Sequence, residues 1–187
     1  MLNFFILILI YTCIYAFMSL GQNLITGYTG MLSLCAAGFF AVGSYTTAIL
    51  TTKFAWSFWA TLPVAAILAA LMGVLIGLPT LRLKGDYLAI ATLGFAEIVR
   101  NIINNWDALT NGPMGIQRIP MITIFGLKIS PYQKYGFLLM EIILLAVCWF
   151  LFERLASSRM GRALEAIRED EIAANSRGID VTKYKVV

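Results

Sequence analysis

The sequence predicts an all-α protein, a polytopic bundle of about five membrane-spanning helices, on three observations. The first 52 residues carry no charged side chain, Lys53 being the first. Apolar residues make up 60% of the chain and charged ones 13%, where soluble domains carry about a quarter charged. The apolar residues gather into five segments near the roughly 20 residues that a spanning helix needs.

Those segments are about Leu2–Leu20, Met31–Leu50, Trp56–Leu78, Tyr87–Ile103 and Tyr132–Phe152. No Lys or Arg precedes Gly21, as a secretory leader would require, so the first segment reads as a retained span. Gly21–Gly30 is too short and apolar for a solvated linker. It reads as a tight turn or a helix break at Gly27 and Gly30, shielded by protein, because bare backbone is not tolerated in lipid. The third segment holds Gly73 and Gly77, a small-xxx-small spacing that lets helices approach closely. Pro79, Arg82 and Lys84 mark its exit into water. Asn105–Pro131 is the long non-apolar connection, with Asn111-Gly-Pro113 as a turn signal. Residues Ile119–Ile129 suggest a short hairpin or surface strand.

Charge placement gives the orientation. One side collects Arg82, Lys84, Arg154, Arg159, Arg162, Arg168, Arg177, Lys183 and Lys185; the other holds Lys53, Arg118, Lys128 and Lys134. The richer side is expected in the cytoplasm and the N-terminus outside. The net charge of +4 sits at segment ends and in one C-terminal block, a membrane pattern that argues against nucleic acid. Cys13, Cys35 and Cys148 lie in apolar runs and there is no histidine, which argues against a disulfide framework or metal site.

Glu97, Arg100, Asn101 and Asn104 fall at i, i+3, i+4 and i+7, one polar stripe on the fourth span. Charges at membrane depth face protein or water, so the stripe is either a candidate translocation path or a Glu97–Arg100 pair joining helices. Glu141, alone in the fifth span, is expected near the outer interface. In the block Ser157–Lys185, Ser157 or Ser158 can cap a helix with Met160, Leu164 and Ile167 on one face. Arg162, Glu165, Arg168 and Glu169 take the other face, and Gly178 ends the helix. Mixed signs favour a protein partner over anionic lipid. No phosphate-binding G-x-x-x-x-G-K-[ST], nucleophile elbow, His-Glu-x-x-His or Cys-x-x-Cys occurs. An enzyme would have only Glu97, Glu141 and Asp86 to work with.

Three blocks then carry a resemblance. Gly27-Tyr-Thr-Gly-Met-Leu-Ser33 with Phe39-Phe-Ala-Val-Gly-Ser-Tyr-Thr46 resembles the permease subunits of ABC importers for branched-chain amino acids. Leu83-Lys-Gly-Asp-Tyr-Leu-Ala-Ile-Ala-Thr-Leu-Gly-Phe-Ala-Glu-Ile-Val-Arg100, Asn105-Trp and Gly112-Pro-Met-Gly-Ile116 look like the same family's central signature. Arg159-Met-Gly-Arg-Ala-Leu-Glu-Ala-Ile-Arg-Glu-Asp-Glu-Ile-Ala-Ala174, with Gly178 beyond, is similar to its cytoplasmic coupling loop. Permeases for urea and short amides are close sisters that share these blocks.

The resemblance implies one transmembrane permease domain over residues 1–187, with an ATPase-coupling loop at 156–180. Arg168, Glu171, Ala173, Ala174 and Gly178 would dock a separate ABC ATPase subunit, and charge reversal at Arg168 or Glu171 would weaken that contact. No cofactor is expected on this chain, ATP being held by the partner. Further expected partners are a second permease subunit, an extracytoplasmic substrate-binding protein and membrane lipid, in a bacterial inner membrane. The chain departs from the family pattern at Cys35-Ala36, where many members carry Gly-His. It also stops soon after the coupling loop, so it is expected to be an N-terminal portion. A passive small-solute channel would work without ATP and leave the C-terminal block unused; a membrane enzyme would need Glu97.

Overall fold

The computed structural model describes residues 2–80, 83, 85–124, 127–129, 134–181 and 184. The exit cations Arg82 and Lys84, and Pro131 and Tyr132 at the start of the fifth segment, lie outside the described residues.

Helix α1 (Leu2–Gln22) is built of apolar and aromatic side chains with no charge, and it passes directly into a π-helical turn, Asn23–Tyr28. The break therefore falls beyond Gly27, at Gly30, whose φ of 69° lies in the left-handed region that glycine adopts without strain. A link from Thr29 to Cys35 leads into α2 (Ala36–Lys53). Thr46, Thr47, Thr51 and Thr52 return their hydroxyls to carbonyls three or four residues back. Each hydroxyl is thus satisfied within the helix, which is how α2 carries them into apolar surroundings.

Helix α3 (Phe58–Thr80) packs on α2, and α4 (Asp86–Asn105) packs on α2 and α3. Gly73 is not a point of close helix approach. A Cβ on Gly73 would meet only the Phe39 ring, at 3.9 Å. A Cβ on Gly38 of α2 would stand 3.3 Å from the Ala96 backbone of α4, so there the small residue brings two helices together.

After α4 the chain turns through α5 (Asp107–Thr110), Asn111 in the left-handed conformation and a 3₁₀ turn at Gly112–Met114, where Asn-Gly-Pro signals a turn. Lys53 Nζ, at the end of α2, donates to the Ala108 carbonyl at 2.6 Å and fastens this corner. Strands β1 (Ile122–Ile124) and β2 (Leu127–Ile129) pair antiparallel, Ile122 opposite Ile129, giving the short hairpin expected here.

Helix α6 (Lys134–Ala156) packs against α1. It turns sharply into α7 (Arg159–Glu169), because Ser158 Oγ accepts the amides of Met160 and Gly161 as an N-cap. A Cβ on Gly161 would run into the Ala156 carbonyl oxygen, so the corner requires glycine. The expected single helix to Gly178 is two. Asp170 is extended (φ −153°, ψ 108°) and caps α8 (Glu171–Ser176) by accepting the amides of Ile172 and Ala173. An Asp with its own amide partners ends one helix by starting the next.

Five helices of 18 to 23 residues thus stand where five apolar segments were read. Phe4–Tyr28, Phe58–Thr80 and Tyr135–Ala156 are long and apolar enough to cross a membrane; α2 and α4 match them in length but carry more polar groups. Large apolar side chains of these three helices point outward, Leu75 and Phe4 being each 64% exposed. Thr61 is the fully buried side chain among the described residues. Large apolar side chains facing outward suit a bilayer, where packing and hydrogen bonds rather than water exclusion hold helices together.

Candidate coupling site and cavity

The Thr29–Cys35 link leaves backbone groups without helical partners, and neighbouring elements supply them. Gln22 Nε2 donates to the Ser33 carbonyl and to Thr26 Oγ1. The Leu34 amide donates to Thr92 Oγ1 at 2.9 Å, and Thr92, 3% exposed, lies on the inner face of α4 with Leu88 and Val99. Such pairing is what permits irregular backbone between spans.

The link, α3, α4 and α7 border a half-open cavity of about 570 Å³. Ser33, Thr80 and Thr92 bring hydroxyls to it; Phe39, Ile76, Leu88 and Ile167 supply apolar wall; Arg168 and Glu171 stand at one border. That size and mixed lining are typical of small-molecule sites.

The α7–α8 unit has its own small core. Ile167, Ala174 and Val181 are buried together, with Ile179 and Tyr184 against them. Gly178, with φ of 84°, closes α8, and the Ile179 amide reaches back to the Ala174 carbonyl at 3.2 Å. The five coupling-loop residues therefore divide. Ala173 and Gly178 are exposed, Ala174 is buried in that core, Glu171 is half-buried at the cavity, and Arg168 Nη1 donates to the Gly27 carbonyl. Sequence reading missed Ile172, 78% exposed on α8. Its signal was available: it is the one large aliphatic side chain between Asp170 and Gly178, two residues after the capping Asp170.

The stripe on α4 is not on the cavity wall. Glu97 and Arg100 pair at 3.3 Å with side chains 54% and 70% exposed, and Asn101 Nδ2 donates to the Glu97 carbonyl. Asn104 is half-buried beside Gly112. Glu141 is 7% exposed where α6 meets α1, close to Cys13, and its Oε2 has no hydrogen-bond partner among the described residues. A carboxylate alone in an apolar run gives no hint of which helix will cover it. Among the described residues no cluster of His, Cys, Asp and Glu has metal-binding geometry.

An irregular link between spans, a cavity beside it and a capped helical pair beneath it repeat the order of the three sequence blocks. Residues 4–187 match the family of branched-chain amino acid transport system permease components. The chain belongs to that family. It is 41% identical over 196 aligned positions to the high-affinity branched-chain amino acid transport system permease protein LivM of Escherichia coli, which covers 94% of this chain and 46% of the relative. The LivM of Salmonella typhimurium gives the same figures. A probable branched-chain amino acid transport permease protein LivM from Methanocaldococcus jannaschii is 29% identical, over 65% of this chain and 36% of its own. The chain thus spans about half the length, or less, of the curated relatives it matches. No solved structure matches it. Its relatives are transport permeases, and its apolar helices make this permease-family chain an integral membrane protein.

Proposed function

We propose that this chain forms part of the permease subunit of an ATP-driven importer of branched-chain amino acids in a bacterial cytoplasmic membrane. The α7–α8 unit stands in the cytoplasm and docks on a separate ATPase subunit, which holds and hydrolyses the ATP. A second permease subunit completes the path, and an extracytoplasmic binding protein delivers substrate. The N-terminus then lies outside.

The observation that carries this reading is the α7–α8 unit. It is doubly capped, holds a core of its own, hangs from the end of a span, and points Ile172, Ala173 and charged side chains outward. An exposed aliphatic side chain ringed by charges is the anatomy of a protein-docking point rather than of a lipid anchor. The cavity supports a role on the path, since hydroxyls on an apolar wall suit a small amphiphilic solute.

The test is isolation of the membrane complex through a tag on this chain. An ATPase is expected with the unchanged chain, and its recovery is expected to fall about tenfold or more with Ile172→Asp, as for loss of a central interface anchor. Leucine should compete for ATP-dependent uptake where urea and acetamide do not. Uptake indifferent to ATP would overturn the proposal.

A further inference from the structure

We infer that Arg168 is a positioning residue that latches the α7–α8 unit to the π-turn at the end of α1, so that movement of the docking unit is passed to the link beside the cavity. This rests on the docking reading above and adds the route by which docking reaches the membrane helices.

Three observations carry it. First, Arg168 Nη1 donates to the Gly27 carbonyl across 141 positions of sequence, although the guanidinium is on the exposed side of α7 and water was open to it. Carbonyls at the end of a helical run hold partial negative charge and lack onward partners, so a cation there makes a charge-assisted bond. Second, the Arg168 side chain occupies the space beside Gly30. A Cβ there would stand 2.9 Å from Arg168 Cγ, at a φ of 69° that already excludes most residues. Gly30 thus both bends the chain and admits the arginine. Third, the π-turn is held to the far end of α6 by the edge of Tyr28 against Phe152, ring centres 5.6 Å apart. The turn is therefore gripped by both elements that meet at the Ser158 corner.

The link runs on from this grip to Leu34, whose amide is bound by Thr92 of α4. Displacing α7 relative to α4 must either break the Arg168–Gly27 bond or pull the link that borders the cavity. A coupling device needs such a contact, made between two elements that can move as units.

The experiment uses the complex isolated from native membranes and returned to vesicles, with leucine uptake and ATP hydrolysis measured together. Arg168→Ala is expected to keep the ATPase bound and hydrolysing, while leucine moved per ATP falls about tenfold, the scale of one lost charged hydrogen bond. Arg168→Lys, which can still donate to the carbonyl, should recover most of the loss. Gly30→Ala should reproduce the defect with Arg168 intact, by taking the space of its side chain. Should Arg168→Ala fail to accumulate, Arg168→Lys against Arg168→Gln decides the same question.

Unchanged leucine per ATP in both the Arg168→Ala and Gly30→Ala proteins would overturn the latch. Loss of ATPase from the Arg168→Ala complex would also overturn it, by putting Arg168 in the docking face. Absence of ATPase from the unchanged complex would remove the docking reading itself, and the latch with it.

Discussion

At the scale of single residues, the structure is held where polar backbone meets apolar surroundings. Thr92 is the clearest case: its hydroxyl is the acceptor for the Leu34 amide, and it is almost fully buried. Thr92→Val keeps the shape and removes the acceptor, leaving a buried donor unpaired at a cost of about 1–3 kcal/mol. Thermal unfolding in detergent should show that loss, whereas Thr92→Ser should stay close to the parent. Gly161 makes a second prediction. Its missing Cβ is the room for the Ala156 carbonyl, so Gly161→Ala must push α7 away from α6. The expected cost is about 1–3 kcal/mol or more, as for overpacking, read as earlier protease cleavage between Ala156 and Arg159. Neither residue stands out in the sequence, because the spacing of a Thr or Gly shows its face of the helix and not what arrives against it.

Among the elements, the α7–α8 pair depends on its caps. An extended Asp170 separates two short helices, and α8 is too short to persist without help. Asp170→Ala should cost about 1 kcal/mol and fray α8, while Asp170→Asn, which caps as well, should be nearly neutral. Hydrogen exchange at the Ile172 and Ala173 amides is the direct measurement, with faster exchange expected only for the Ala variant. The helical segments, the Asn111 turn and the Ser158 cap were legible in the sequence, since each rests on local pattern or local side-chain chemistry. The interruption at Asp170 was not, because Arg159–Ser176 also reads as one amphipathic run and the Asp cap competes with it on equal terms. Residues Glu97–Asn104 were legible as one face of α4, but periodicity does not say which face meets the cavity. It is Leu88 and Thr92 that do so.

For the whole molecule, the surface is apolar along α1, α3 and α6, and the polar work is gathered at one end, around the link, the cavity and α7–α8. The sequence blocks that carry the family resemblance lie far apart in the chain. Yet residues from all three border one cavity: Gly30 and Ser33 from the first, Leu88 and Thr92 from the second, Ile167 and Arg168 from the third. That convergence is what joins a membrane path to a soluble motor in the proposed importer. In that proposal the outward face of α8 meets the ATPase and the exposed Glu97 side of α4 lies away from it.

A photo-crosslinking side chain at position 172, activated in native membranes, tests this most directly, with position 98 on α4 as the control. The expected result is a covalent adduct between position 172 and a polypeptide bearing a nucleotide-binding ATPase sequence, with none from position 98. Adducts from position 172 with lipid alone would contradict the placement of α7–α8 as the ATPase-docking unit.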